Sequence, residues 1–401
     1  MLKYLEKSIK ALFFKLARLF LKNSPKRKEE IDLLKIKKVL VVRQDKRIGN
    51  LLLTTPFLFA LRKLFSKSQI FYLASKPFQN LFSNFSVLDE VLTVDKKKYV
   101  FNPFPFFKLI KKIRRQNFDL CFDLSDENQI SATNLLYTYL SGAKYRIGHK
   151  RDGSDIFLNL EVPKEKKSRH AVEMHLDLLR FLFGEVQTPE LNIDVLDENK
   201  KNVLDYLDKK SINENDFLIG INLGGRGRKR WREQDFLDVA NWLVSTFDCR
   251  VILIWGPEEK KIVRDLRLDK DIILADLLPL PTLAALIKRC NLFVSSDSGI
   301  MHLSTAVKTP TFAIFVDSDP VKYGPRGDEN RIIVGEDGKV SVEKVKIGLQ
   351  EFITSMKSTD DSFSPRGNFF VKTSPQPSPY EEEGEKKPSP YEGEGKGEVH
   401  P

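Results

Sequence analysis

From Lys37 to Phe315 short apolar runs alternate with segments of helical period, and that alternation leaves few folds open to the chain. Val39–Arg43, Ile70–Ala74, Glu90–Val94, Leu120–Leu124 and Tyr145–Gly148 have the length and residue types of strands, while residues 51–65, 104–116 and 129–141 carry helical spacing. Such alternation predicts a parallel sheet with helices on both faces. A helical run, Ala171–Phe183, leads into GEVQTPELNIDVLDENK, a turn-rich and acidic stretch suited to join two domains. The pattern then restarts, with strands Phe217–Asn222, Arg250–Trp255, Leu292–Ser295 and Thr311–Phe315 and helices Glu233–Phe247, Thr282–Arg289 and Ile300–Val307. Two doubly wound α/β domains in tandem are predicted, and 401 residues suffice for both.

The two ends are different material. Leu2, Leu5, Ile9, Leu12, Leu16 and Leu19 recur every three or four residues, with Lys3, Lys7, Lys10, Lys15, Arg18 and Lys22 on other faces, so residues 1–35 open with a basic amphipathic helix. Lys15 and Arg18 break any apolar span and no small-residue cleavage site follows, which argues against a transmembrane helix or a secretory signal. The helix either lies on an anionic membrane surface or packs on its own domain. Beyond residue 357, PSPYEEEGEKK and PSPYEGEGKGE form an imperfect repeat too poor in apolar residues to offset the entropy of folding, so disorder is expected there. That tail holds nine acids and five bases, leaving 61 bases against 46 acids, or +15, on the first 357 residues. The folded part should therefore meet anions such as nucleotides, phosphorylated glycans, acidic headgroups or nucleic acid. Cys121, Cys249 and Cys290 lie far apart and include no C-x-x-C pair, which suggests neither a disulfide framework nor a zinc site and points to a reducing cytoplasm.

In open parallel sheets ligands gather beyond the carboxyl ends of strands, and three such loops stand out. RQDKRIGN, after the first strand, has one glycine, so the dinucleotide fingerprint is absent; Gly49 permits close backbone approach, and Asn50 reads as a helix N-cap or a ligand contact. NLGGRGRKRWREQDF combines Gly224, Gly225 and Gly227 with Arg226, Arg228, Lys229 and Arg230, a turn with free N–H groups and cations for a diphosphate. Trp231 is placed to fix that loop by packing. FVSSDSGIMHLSTAVKTPTFAIF reads as strand, polar turn, helix and strand; Ser296, Asp297 or Ser298 can cap the helix, Asp297 can instead hold sugar hydroxyls, and His302 can reach a phosphate from one turn in.

These stretches, with WGPEE between them, resemble in order and spacing the heptosyltransferase-type glycosyltransferases of family 9, which act in lipopolysaccharide core synthesis, over about Ile36 to Met356. The resemblance implies a GT-B fold, two Rossmann-like domains facing a central cleft. An acceptor domain would span 36–190 and a nucleotide-sugar domain 191–357, with the final helix, Val342–Met356, turning back toward the first. It implies donor binding by Gly225, Arg226, Lys229, Gly256, Asp297, Ser298, Gly299 and His302, of which Lys229 matches the family's donor-phosphate lysine and Asp297 to His302 its D-[ST]-G-x-x-H site. Acceptor contacts fall to Arg43, Arg47 and Gly49. Family members often carry an acid where this chain has Asn50, so Asp45, in the same loop, is the expected base, with Asn50 beside it as cap and acceptor contact. No cofactor is implied and no metal is required. Asp317 and Asp319 resemble the acid pair of metal-dependent transferases but lie past the last clear strand.

The expected activity is inverting transfer of a sugar, heptose from ADP-heptose first among candidates, to an anionic lipid-linked or core saccharide at the inner face of the cytoplasmic membrane. A different sugar donor and a catalytically silent sugar-nucleotide or glycan binding protein are the alternatives. Charge alone would also allow nucleic-acid binding, for which the sequence carries no module.

Overall fold

The computed structural model describes residues 2–358 except Lys166, with side chains omitted for 2–10, 100–101 and 357–358. The proline- and glutamate-rich repeat lies outside the described residues. Among the described residues twelve strands form two six-stranded sheets in which every strand pairing is parallel. The first contains β1 (Lys38–Val42), β2 (Gln69–Ser75), β3 (Glu90–Val94), β4 (Leu120–Asp123), β5 (Tyr145–His149) and β6 (Leu160–Val162), in the order β3-β2-β1-β4-β5-β6. The second contains β7 (Leu218–Asn222), β8 (Arg250–Ile254), β9 (Ile272–Leu274), β10 (Leu292–Ser296), β11 (Thr311–Phe315) and β12 (Asn330–Val334), in the order β12-β11-β10-β7-β8-β9. Counted within each half, both orders are 3-2-1-4-5-6, so each sheet reverses direction between its first and fourth strands. Those reversals, β1/β4 and β7/β10, are the crevices where such sheets take ligands.

The central strands bury nearly every side chain because helices cover both faces; β7, β10 and β11 are buried throughout. Phe57 and Phe122, both fully buried, meet edge to face at 5.1 Å, and each burial contributes about 2 to 3 kcal/mol. The stretch expected as one helix over 51–65 is two, Ile48–Leu52 and Thr55–Leu64, because Pro56 opens a new helix and the Thr54 and Thr55 hydroxyls bond the carbonyls of Leu51 and Leu52. The connecting stretch is more ordered than its composition suggests: it leads into a helix, Asp197–Asp208, that packs on Leu280–Arg289. The final helix, Val342–Ser358, corrects another expectation. Its Val345, Leu349, Phe352 and Ile353 enter the core of the second half, and it packs on Glu233–Thr246 instead of turning back to the first.

The N-terminal helix, Leu2–Phe20, docks on the first half through Phe13, Phe14 and Ala17, which surround Phe157, and Arg18 pairs with Asp155. The leucine row read as its apolar face points elsewhere: Leu12, Leu16 and Leu19 are 57%, 45% and 72% exposed. The helix is thus apolar on two sides, one packed and one in solvent. Among the described residues no helix is long and apolar enough to cross a membrane.

The halves meet where two helices begin. A Cβ added to Gly299 would stand 2.5 Å from Ile48 Cγ2 and 3.0 Å from the Gly49 backbone nitrogen, so the first turns of Ile48–Leu52 and Gly299–Ala306 meet with no room for a side chain at either glycine. Gly299→Ala should therefore lower stability by about 1 to 3 kcal/mol in urea titrations, the cost of overpacking a closed contact. An unchanged midpoint would show that the seam yields freely.

Candidate functional site

The loop after β1 folds around Asp45. Its Oδ2 accepts from Asn50 Nδ2 at 2.7 Å and lies 3.3 Å from Arg43 Nη2; its Oδ1 accepts the Arg47 N–H at 3.0 Å, with Arg47 Nε at 3.6 Å. Arg43 is itself buried and donates to the Leu124 carbonyl at the end of β4, which ties the loop to the strand across the switch point. Asn50 is not the N-cap. Arg47 holds that position, and Asn50 lies inside the first turn with its amide committed to Asp45. Gly49 stands against the second half: a Cβ there would be 2.8 Å from His302 Cδ2.

In the second half, Asn222 fastens the switch point. Its buried Nδ2 reaches the Gly224 carbonyl at 3.1 Å, Ser295 Oγ at 3.0 Å and Ser298 Oγ at 3.1 Å, joining the end of β7 to the end of β10. Of the three capping candidates Ser298 does the capping, accepting the Met301 N–H at 3.2 Å. That leaves Asp297 to pair with Lys229, whose Nζ lies 2.6 Å from Oδ2 and 5.0 Å from the Tyr323 ring centroid. The rest of the basic loop is paired as well. Arg226 lies 3.8 Å from Glu258, Arg228 2.9 Å from Asp317, and Arg230 2.8 Å from Glu233 and 3.5 Å from Glu259. Gly225 sits where a side chain would strike Arg230, Gly227 has a φ of +56°, and the Gly256 N–H donates to Glu259 Oε2 at 2.8 Å. Trp231 anchors the loop, buried against Phe236 and donating to the Val340 carbonyl at 2.8 Å.

The acid pair has other work: Asp317 takes Arg228, and Asp319 caps Pro320–Tyr323. Among the described residues no three His, Cys, Asp or Glu side chains are grouped as a metal would require.

Several residues of this region escaped sequence reasoning. The segment Asp319–Arg326 bridges to the first half through Lys322 to Asp126 at 3.4 Å, Arg326 to Glu173 at 2.6 Å and His170 Nε2 to the Gly324 carbonyl at 3.0 Å. Gln44 is buried with both amide atoms lacking a hydrogen-bond partner, as does Nδ1 of buried His175. The spacing of His170 and His175 around the start of Ala171–Phe183 was the available signal.

Arranged this way, the residues can do acid–base and anion chemistry: a carboxylate on one side of the seam, and on the other an ammonium and a capped helix start. Two switch-point sheets whose helix starts meet at one seam have the architecture of the GT-B fold. The family described as glycosyltransferase family 9 (heptosyltransferase) matches residues 106–348, and the chain belongs to it. A putative glycosyltransferase of Haemophilus influenzae is 24% identical over 366 residues, covering 82% of this chain and all of its own. Among solved structures, a family 9 glycosyltransferase from Veillonella parvula superposes with a TM-score of 0.71 at 23% identity, over 80% of this chain and 97% of that one. The Escherichia coli ADP-heptose lipopolysaccharide heptosyltransferase II does so at 0.66 and 18% identity, over 80% and 100%. These likenesses establish the fold.

Burial lowers the His302 imidazole to about 4; Asp297 opposes the shift, and His170 and Lys229 add to it. Above the unfolded value of about 6.5 the ring is neutral in both states and its contribution is complete. As pH falls from there toward 4 the unfolded chain takes up a proton that the folded protein refuses, so stability drops. Denaturant midpoints across that range should fall less steeply in His302→Asn than in the parent, and parallel profiles would exclude His302 as a contributor.

Proposed function

We propose that the protein is an inverting glycosyltransferase that moves heptose from ADP-heptose to a lipopolysaccharide core or other lipid-linked saccharide, with acceptor bound by residues 36–190 and donor by 191–357. The observation that carries this reading is the Gly49–Gly299 seam, which sets the Asp45 loop beside the residues resembling the family's donor site. The E. coli neighbour, an ADP-heptose lipopolysaccharide heptosyltransferase by name, supports the choice of donor and acceptor class. In the reaction Asp45 takes the proton from an acceptor hydroxyl as its oxygen attacks the anomeric carbon, and the bond from that carbon to the diphosphate breaks on the opposite side. Arg43, Arg47 and Gly49 border the acceptor. Lys229, Arg226 and the N–H groups of Gly225, Ser298 and Gly299 take the charge that develops on the departing diphosphate, with Asp297 and His302 behind them and Gly256, its N–H held by Glu259, lining the loop beside them.

The protein sits on the inner face of the cytoplasmic membrane in this reading. Leu12, Leu16, Leu19 and Phe20 project from the docked N-terminal helix beside Lys15 and Lys22, an arrangement fit for an anionic bilayer surface.

Lys229→Ala should weaken ADP binding by about tenfold in calorimetry, the low end for a charge-assisted hydrogen bond because the side chain stays 41% exposed. Unchanged affinity would remove the phosphate role.

Turnover of ADP-heptose and other nucleotide-sugars on truncated core acceptors tests the whole reading. Asp45→Asn should lose about 100-fold or more, the scale of a lost general base. Asn50→Asp should keep or raise turnover, and since its carboxylate would sit at hydrogen-bond distance from Asp45, the acid limb of its pH profile should move upward as the pair shares a proton. Full activity in Asp45→Asn would dismiss this base. No product from the parent or from Asn50→Asp with any donor that binds would favour a binding protein.

A further inference from the structure

Residues 96–118 carry eight Lys or Arg and no acid. They form two helices, Lys96–Phe101 and Phe104–Arg114, that connect β3 to β4. The second helix turns Phe106, Leu109, Ile110 and Ile113 onto the sheet. Its other side presents Phe104 and Phe107, 79% and 62% exposed, followed on the same face by exposed Lys108, Lys111 and Arg115. Lys112, nearer the sheet, is paired with Glu90. Two rings in water followed by three cations without acidic partners are costly for a soluble surface and complementary to an anionic bilayer, where rings enter the headgroup boundary and cations meet phosphate.

The position of this face matters as much as its composition. The helix Ala132–Leu140 stands between it and the N-terminal helix, touching one through Phe106–Tyr137 and the Arg114 bond to the Leu140 carbonyl, and sharing with the other the apolar cluster of Phe13, Ala17, Leu135 and Tyr139, while the Tyr139 hydroxyl donates at 3.1 Å to the carbonyl of Lys22 just past that helix. The three helices therefore form one layer, with exposed apolar residues on both outer members. Lys96, at the start of the same connection, is close enough to Lys46 and Asp45 to feel their charge.

We propose that Phe104–Arg114 is a second membrane-contact element, seating the first half on anionic lipid together with Leu2–Phe20 and holding the Asp45 side of the cleft toward a lipid-anchored acceptor. This rests on the membrane reading above and adds a site that the N-terminal helix alone would not supply.

Co-sedimentation of the full chain with vesicles of phosphatidylcholine, with and without phosphatidylglycerol, tests it. Phe104→Ser/Phe107→Ser should lower partitioning by about tenfold, and Leu16→Ser/Leu19→Ser should lower it independently, so that the combined variant loses both contributions. Lys108→Gln/Lys111→Gln/Arg115→Gln should remove much of the gain from phosphatidylglycerol. Melting temperature and ADP affinity should not change in any of them. If the phenylalanine variant partitions like the parent while the leucine variant does not bind, the inference fails and the membrane reading stands. If the parent ignores both vesicles, both fail. If the phenylalanine variant instead abolishes a concentration-dependent dimer in sedimentation velocity and leaves vesicle binding intact, the face belongs to a second copy and the inference is overturned.

Discussion

Two glycines facing each other set the geometry on which the site depends. Gly49 and Gly299 begin helices on opposite halves, and either one given a Cβ would collide with the other's backbone or with its neighbours. Because neither glycine has a side chain, the starts of two helices and the loops before them converge closely. One loop brings Asp45 and the other Asp297. A larger residue at the seam would push the Asp45 loop away from the start of Gly299–Ala306, against the other bridges between the halves, Lys322 to Asp126 and Arg326 to Glu173.

The basic loop neutralises much of its own charge. Arg226, Arg228, Lys229 and Arg230 each face a carboxylate, and the Asp297 partner of Lys229 is nearly buried. Those acids offset part of the attraction that four cations would otherwise hold for an anion. The arrangement favours discrimination over affinity: a ligand that presents oxygens where the acids stand, and hydroxyls where Asp297 can accept, recovers what a simple anion would not.

Much of this was legible in the sequence. Nine strands were placed within one residue of their observed ends, since central parallel strands are apolar at nearly every position and announce themselves. The three that escaped, β6, β9 and β12, are all at sheet edges; two have three residues, and β12 is half-exposed, so each lacks a run long enough to read. The helix Asp197–Asp208 hid for a related reason. Only Val203 and Leu207 are buried, and the acids of its first turn read as turn chemistry. The loops beyond strands marked the cleft, but partners across it, Asp126 with Lys322 and Glu173 with Arg326, lie 196 and 153 residues apart, and no local pattern announces such a pair.

The place of Asn50 shows how far residue type alone can carry an assignment. Asparagine before a helix reads as a cap because its side chain commonly takes a free N–H. Here the helix begins two residues earlier, and the acceptor for the Arg47 N–H is Asp45. That leaves the Asn50 amide to donate, and it donates to the same carboxylate. An acid at position 50 would put two carboxylates at hydrogen-bond distance from each other; the amide instead donates to Asp45 and holds its Oδ2 in place. The loop thus carries its carboxylate five residues before Asn50, on a side chain that Arg43 and Arg47 already orient.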